Sequence, residues 1–197
     1  MKLKSLSNDP QYTDAGLEEA YHIVYYIPKG YTDTTKWTSM IKQFKWNRND
    51  KNDQYIIDKC IEVINSANLK FDYVIRTLGS SETTALKSSK LRPLAIAIAD
   101  AVSATYLPRL LKKKRVTTPL HRLPDLASRK AEMDGVFEIE VKKDLNNKSV
   151  LIVDDISTAC VTSAEIIKTL KEEWPNATFY LFCIARTSHD EHANENL

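Results

Sequence analysis

The stretch from Lys148 to Leu170 constrains the fold more than any other part of the chain. Val150-Leu151-Ile152-Val153 is a continuous apolar run, the pattern of a strand buried on both faces, as parallel sheets require. It ends on two adjacent carboxylates, Asp154 and Asp155, and a short hydroxyl-rich turn follows. Ala164, Ile166, Ile167 and Leu170 then recur at helical spacing. Open α/β sheets bind ligands beyond the carboxyl ends of their strands. The helix N-terminus that follows offers free N–H groups and a positive dipole end, which suit a phosphate. Asp154 and Asp155 could accept hydrogen bonds from sugar hydroxyls while Thr158 and Thr162 donate to that phosphate. A sugar phosphate satisfies all of these groups at once. The plainer alternative is a buried strand and an ordinary amphipathic helix, with the acids merely capping it.

The rest of the composition excludes more than it selects. A chain of 197 residues suits one domain with a small appendage. Hydrophobic residues at 43% and charged residues at 27% are ordinary for a globular protein. The net charge of +2 gives no global field that would dictate a nucleic-acid or membrane partner. Cys60, Cys160 and Cys183 are odd in number and widely spaced, which argues against a disulfide framework or a zinc site. No run is long enough to span a bilayer and no start resembles a secretory signal, so a cytoplasmic address is expected. Four glycines leave no Gly-rich phosphate loop.

Residues 1–14 are polar and unpatterned, a loosely held start. Tyr21–Ile27 reads as a strand stopped by Pro28 and Gly30. Trp37, Met40, Ile41 and Phe44 recur at helical spacing up to Lys45-Trp46. Asn47–Asp53 is a polar loop, and Tyr55 to Ile64 makes a second amphipathic helix. Phe71–Ile75 is a short strand ending in the loop Arg76–Ser81. Leu94–Thr105 is a well-buried helix, and Tyr106-Leu107 starts another strand. Arg109–Lys130 is irregular and basic. Val136–Val141 alternates apolar and charged, a strand exposed on one face. Thr178–Ala185 is a further buried strand, and the tail from Ser188 is loose. The pattern predicts an α/β fold, a parallel sheet flanked by helices. The expected divisions are a small N-terminal hood or leader over residues 1–68, an α/β core over 69–187 and a polar tail over 188–197.

The strand with its acid pair resembles the signature of type I phosphoribosyltransferases. There an apolar strand, two acids and a Thr-Thr-Gly-x-Thr loop hold phosphoribosyl pyrophosphate (PRPP). Val150–Asp155, Thr158 and Thr162 fit that pattern. Ala159 stands where the second Thr is usual and Cys160 where the Gly is usual, so a Cβ occupies a position that needs positive φ and close backbone approach. Ile41-Lys42-Gln43-Phe44-Lys45, with Thr118, Leu123, Arg129, Gly135 and Phe137 in order downstream, resembles the ComF-like competence branch of that family. Leu91-Arg92-Pro93-Leu94 departs from the run usual there.

The resemblance implies a role for each candidate. Asp154 and Asp155 would hold the ribose hydroxyls and, with PRPP, a Mg²⁺ ion. Ser157, Thr158, Ala159, Cys160 and Thr162 would cradle the 5′-phosphate. Arg76, Gly79 and Ser80 would take the pyrophosphate, Gly79 through a strained backbone and Arg76 by charge pairing; a plain turn with a surface Arg is the alternative. Arg129, in the basic stretch, would join the catalytic set as that stretch closes over the leaving pyrophosphate. Trp37, Phe44 and Trp46 in the hood could stack on the acceptor, with Trp37 and Phe44 the acceptor-binding candidates, or simply be core. Cys160 sits where a helix dipole lowers a thiol pKa, but no His or Asp is placed with it.

Three functions follow. The first is transfer of ribose 5-phosphate from PRPP to a nitrogenous acceptor. The second is a catalytically degenerate version of the fold that binds a nucleotide or a protein partner. The third is association with nucleic acid in DNA uptake or processing, which the basic stretch would serve. The acceptor and any homo-oligomeric state are not written in the sequence.

Overall fold

The computed structural model describes residues 1–46 and 50–195. Its centre is a six-stranded sheet in the order β1-β2-β8-β7-β3-β4. The strands are β1 (Lys4–Ser5), β2 (Glu19–Tyr26), β3 (Tyr73–Arg76), β4 (Thr105–Tyr106), β7 (Ser149–Ser157) and β8 (Thr178–Thr187). Only the β1–β2 pair is antiparallel; the other neighbours run parallel. A separate antiparallel ribbon joins β5 (Leu111–Lys113) to β6 (Phe137–Ile139).

The long strands read as unbroken apolar runs because helices cover both faces. Val150 and Ile152 of β7 and Phe179 and Leu181 of β8 pack with Ile166, Ile167 and Leu170 of α6 (Val161–Glu173). Leu151 and Val153, with Phe182 and Ile184, enter the opposite cluster. That cluster is closed by α2 (Trp37–Trp46), α3 (Asp50–Ala67) and α4 (Leu91–Ala101). Successive strand residues point to opposite faces, so each strand feeds two cores. This is a mixed α/β fold with a mostly parallel sheet flanked by helices, as the sequence predicts. The expected leader contributes β2 to the same sheet, paired directly with β8.

Several local expectations change. The acid pair does not end its strand: β7 continues through Asp154 and Asp155 to Ser157, still in register with Cys183, Ala185 and Arg186 of β8. The polar stretch after Trp46 is not all loop, because α3 begins at Asp50; Asn47–Asn49 lie outside the described residues. The start of the chain carries β1 and α1 (Pro10–Thr13), the latter capped by Asp9, which accepts from Gln11 N–H at 3.1 Å. Its Tyr12 is buried. The basic stretch is ordered: it holds β5, a 3-10 turn at Leu120–Arg122 and the start of α5 (Leu126–Met133), capped by Asp125. The tail folds back. Asn194 brackets Tyr25, accepting from its N–H at 2.8 Å and donating to its carbonyl at 2.9 Å, and Glu191 accepts from Thr32 N–H at 2.7 Å.

Candidate functional site

The chain winds outward from β3 to β4, then returns to β7 on the other side of β3. That reversal puts a topological switch point between the carboxyl ends of β3 and β7, where open sheets leave a crevice. The two loops singled out in the sequence meet there. Thr77 Oγ1 donates to Asp154 Oδ1 at 2.7 Å, across 77 residues of sequence. The Asp155 N–H donates to the same oxygen at 2.9 Å. Burial, and then the neighbouring Asp155 charge, raise the Asp154 carboxyl well above the usual carboxylate range; Lys45 and the Thr77 hydroxyl oppose them.

Asp155 has a partner that no local sequence pattern announces. Lys45, in the last turn of α2, places Nζ 2.8 Å from Asp155 Oδ1, with side-chain exposures of 32% and 15%. Burial pulls the Lys45 ammonium down, but the two aspartates outweigh it and its pKa is raised. Next to it, Trp46 is 54% exposed and meets the His121 ring edge-on, centroids 6.4 Å apart. Burial and the charges of Lys45, Arg122 and Arg129 lower the His121 pKa, so these cations share one neighbourhood.

The turn between β7 and α6 is tightly fastened. Ser157 is buried and its Oγ accepts from Tyr12 OH at 2.9 Å, so this hydroxyl is already engaged inside the protein. Thr158 Oγ1 lies 2.7 Å from Thr187 Oγ1, and Arg186 donates to the Thr158 carbonyl at 3.3 Å and to Asp9 at 2.5 Å. Ala159 packs against the core. Cys160 caps α6 in the left-handed region, φ +55° and ψ 13°, the conformation for which glycine is usual. Burial, reinforced by Asp154, pushes its thiol up to about 12, the reverse of the lowering expected from a helix dipole. Thr162 is half-buried in the first turn of α6.

On the β3 side the expected pyrophosphate residues are held differently. The Arg76 guanidinium is not at the surface. It is buried and donates to both carboxylate oxygens of Glu82, at 2.6 and 3.0 Å, and to the carbonyls of Thr77 and Leu86. Glu82 also accepts from Gly79 N–H at 2.6 Å and Leu86 N–H at 3.0 Å. Gly79 does not use positive φ; a Cβ there would sit 3.2 Å from the Glu82 carboxylate, a tight approach that favours glycine. Buried Lys113 of β5 donates to the carbonyls of Gly79 and Ser80 at 2.9 and 3.2 Å, and burial lowers its pKa to about 8.

Arg129 reaches the Leu123 carbonyl at 3.3 Å and leaves a buried Nε without a hydrogen-bond partner among the described residues. Phe44 is core. Trp37 stacks on Tyr55 at the far end of α2, about 12 Å along the axis from Lys45. Trp46 comes nearer to the site, its ring centroid 5.7 Å from the Lys45 Nζ that pairs with Asp155. Among the described residues no group of three or more His, Cys, Asp and Glu could hold a metal. The acid pair supplies hard oxygen donors that suit Mg²⁺, which takes one or two carboxylates and fills its shell from water and phosphate. One of those oxygens already faces Lys45.

No family model matches the sequence, and no curated protein matches it. Similar solved structures are phosphoribosyltransferases. One is an adenine phosphoribosyltransferase, 20% identical over 76% of this chain and 78% of that one, with a TM-score of 0.45. A second is adenine phosphoribosyltransferase from Saccharomyces cerevisiae in complex with an imino-altritol bisphosphate and adenine, 20% identical over 76% of each chain, TM-score 0.43. A third is the purine phosphoribosyltransferase of Pyrococcus horikoshii, 17% identical over 69% of this chain and 73% of that one, TM-score 0.41.

Proposed function

We propose that the chain binds PRPP at the β3–β7 switch point and transfers ribose 5-phosphate to a nitrogenous acceptor. The observation that carries this reading is the Thr77–Asp154 hydrogen bond, which joins the loop after β3 to the acid pair of β7, ahead of the α6 N-terminus. Asp154 and Asp155 would hold the ribose hydroxyls and stabilise positive charge developing at the anomeric carbon as pyrophosphate leaves. Backbone N–H groups at the start of α6, with Thr158 and Thr162, would take the 5′-phosphate. Ser80, with Arg122 and Arg129, would face the pyrophosphate. A Mg²⁺ ion held by the acid pair would neutralise part of the pyrophosphate charge. Positioning and electrostatics would then supply the catalysis. The ComF-like assignment and a cytoplasmic address rest on sequence alone; no helix among the described residues is long and apolar enough to cross a membrane.

A second reading has its own support. Glu82 engages both the Arg76 guanidinium and the Gly79 N–H, which favours a degenerate site that binds a nucleotide or a partner without turnover. Calorimetric titration with PRPP and Mg²⁺, followed by an assay for pyrophosphate release, separates these readings. Saturable binding that the Asp154→Asn/Asp155→Asn double variant loses supports the site, and release of pyrophosphate with an acceptor supports transfer. No binding at millimolar PRPP overturns the transferase reading.

A further inference from the structure

The acid pair holds a cation of its own, and that cation comes from another part of the fold. Lys45 is the last-turn lysine of α2, on the leader side, yet its hydrogen-bond acceptor among the described residues is Asp155 Oδ1, 110 residues away. Adjacent carboxylates in a partly dehydrated setting repel each other. An ammonium at 2.8 Å relieves that repulsion without any bound ion. A divalent ion approaching Asp155 meets the same oxygen already paired and a positive charge beside it.

We infer that Lys45 is the resident counter-ion of the acid pair and that it competes with a divalent cation for Asp155. Resting on the acid pair being the ligand-binding centre, this deepens the proposed function. The free protein binds a divalent ion weakly, and occupancy of the pair by metal requires Lys45 to leave. The α2 C-terminus is thereby coupled to whatever the pair holds. Lys45 is a positioning residue in this arrangement.

Mn²⁺ alone is the probe, followed by water-proton relaxation in the absence of PRPP. Lys45→Met binds Mn²⁺ roughly tenfold or more tighter than wild type, and Lys45→Met/Asp155→Asn falls back to the wild-type level. Lys45→Gln, which keeps a donor but no charge, behaves like Lys45→Met and serves if the methionine variant does not fold. Equal Mn²⁺ binding by wild type and either single variant, whether tight or undetectable, overturns the inference. This readout needs no PRPP, so it is independent of whether the transferase reading survives.

Discussion

Cys160 sets two effects against each other within one residue. Its left-handed backbone costs a side chain roughly 1–2 kcal/mol, while its buried thiol contributes packing. Cys160→Ala keeps the strain and loses the sulfur, so it destabilises by about 1 kcal/mol. Cys160→Gly removes a larger group but also the strain, so it is no worse than Cys160→Ala in urea denaturation. An alanine variant more stable than the glycine variant by over about 1 kcal/mol contradicts this account. Glycine also lets the 159–161 backbone approach a phosphate, so Cys160→Gly raises PRPP affinity in the same calorimetric titration. The sequence makes this position legible, because a residue with a Cβ where the motif has Gly is visible in one line. Lys45 was not legible. Nothing in local spacing ties a lysine at the end of one helix to an aspartate 110 residues on.

At the scale of elements, the loop after β3 is a buried charge network. Glu82 receives four donors, two of them from Arg76, whose side chain is 1% exposed. Glu82→Gln leaves that guanidinium without a counter-charge, a loss of about 3–5 kcal/mol, read by chemical denaturation. Hydrogen exchange then quickens at Gly79 and Leu86, whose N–H groups lose the carboxylate. Unchanged exchange there sinks the network. The strands β7 and β8 were legible because a strand covered on both faces is apolar throughout. The ribbon strand β5 was not: Leu111-Lys112-Lys113 reads as a basic surface, yet Lys113 is buried by carbonyls that only the folded loop supplies. Arg76 misleads for the same reason, because its partner Glu82 satisfies a charge that sequence alone would leave for a ligand.

For the whole molecule, two buried groups oppose each other in their dependence on pH. Burial lowers His22 to about 4 despite its hydrogen bond with the Val24 carbonyl. Between pH 4.5 and 6.5 the unfolded chain therefore binds the extra proton, and this group makes stability rise with pH. Asp154 is raised, so in the same window the folded state binds the extra proton and this group makes stability fall with rising pH. Each contributes a slope of up to about 1.4 kcal/mol per pH unit. The wild-type profile is accordingly shallow there. His22→Gln tilts it downward with pH and Asp154→Asn tilts it upward, as urea midpoints at the two ends of the window would record. Parallel profiles for all three proteins refute the opposition. Asp33, Asp72 and Glu82, whose pKa values are depressed, lose their contribution only at lower pH.

The sheet order carries one more consequence, for how the protein is made. β8 sits between β2 and β7, so β2 waits for a neighbour that is translated long after it. The ribosome needs roughly 8–30 s to pass from Tyr26 to Thr178. Through that interval the nascent β2 carries its apolar residues and its unpaired edge without the partner that covers them. Vectorial synthesis can form the β1–β2, β3–β4 and β3–β7 pairs in turn, but the two halves of the sheet join only when β8 clears the exit tunnel.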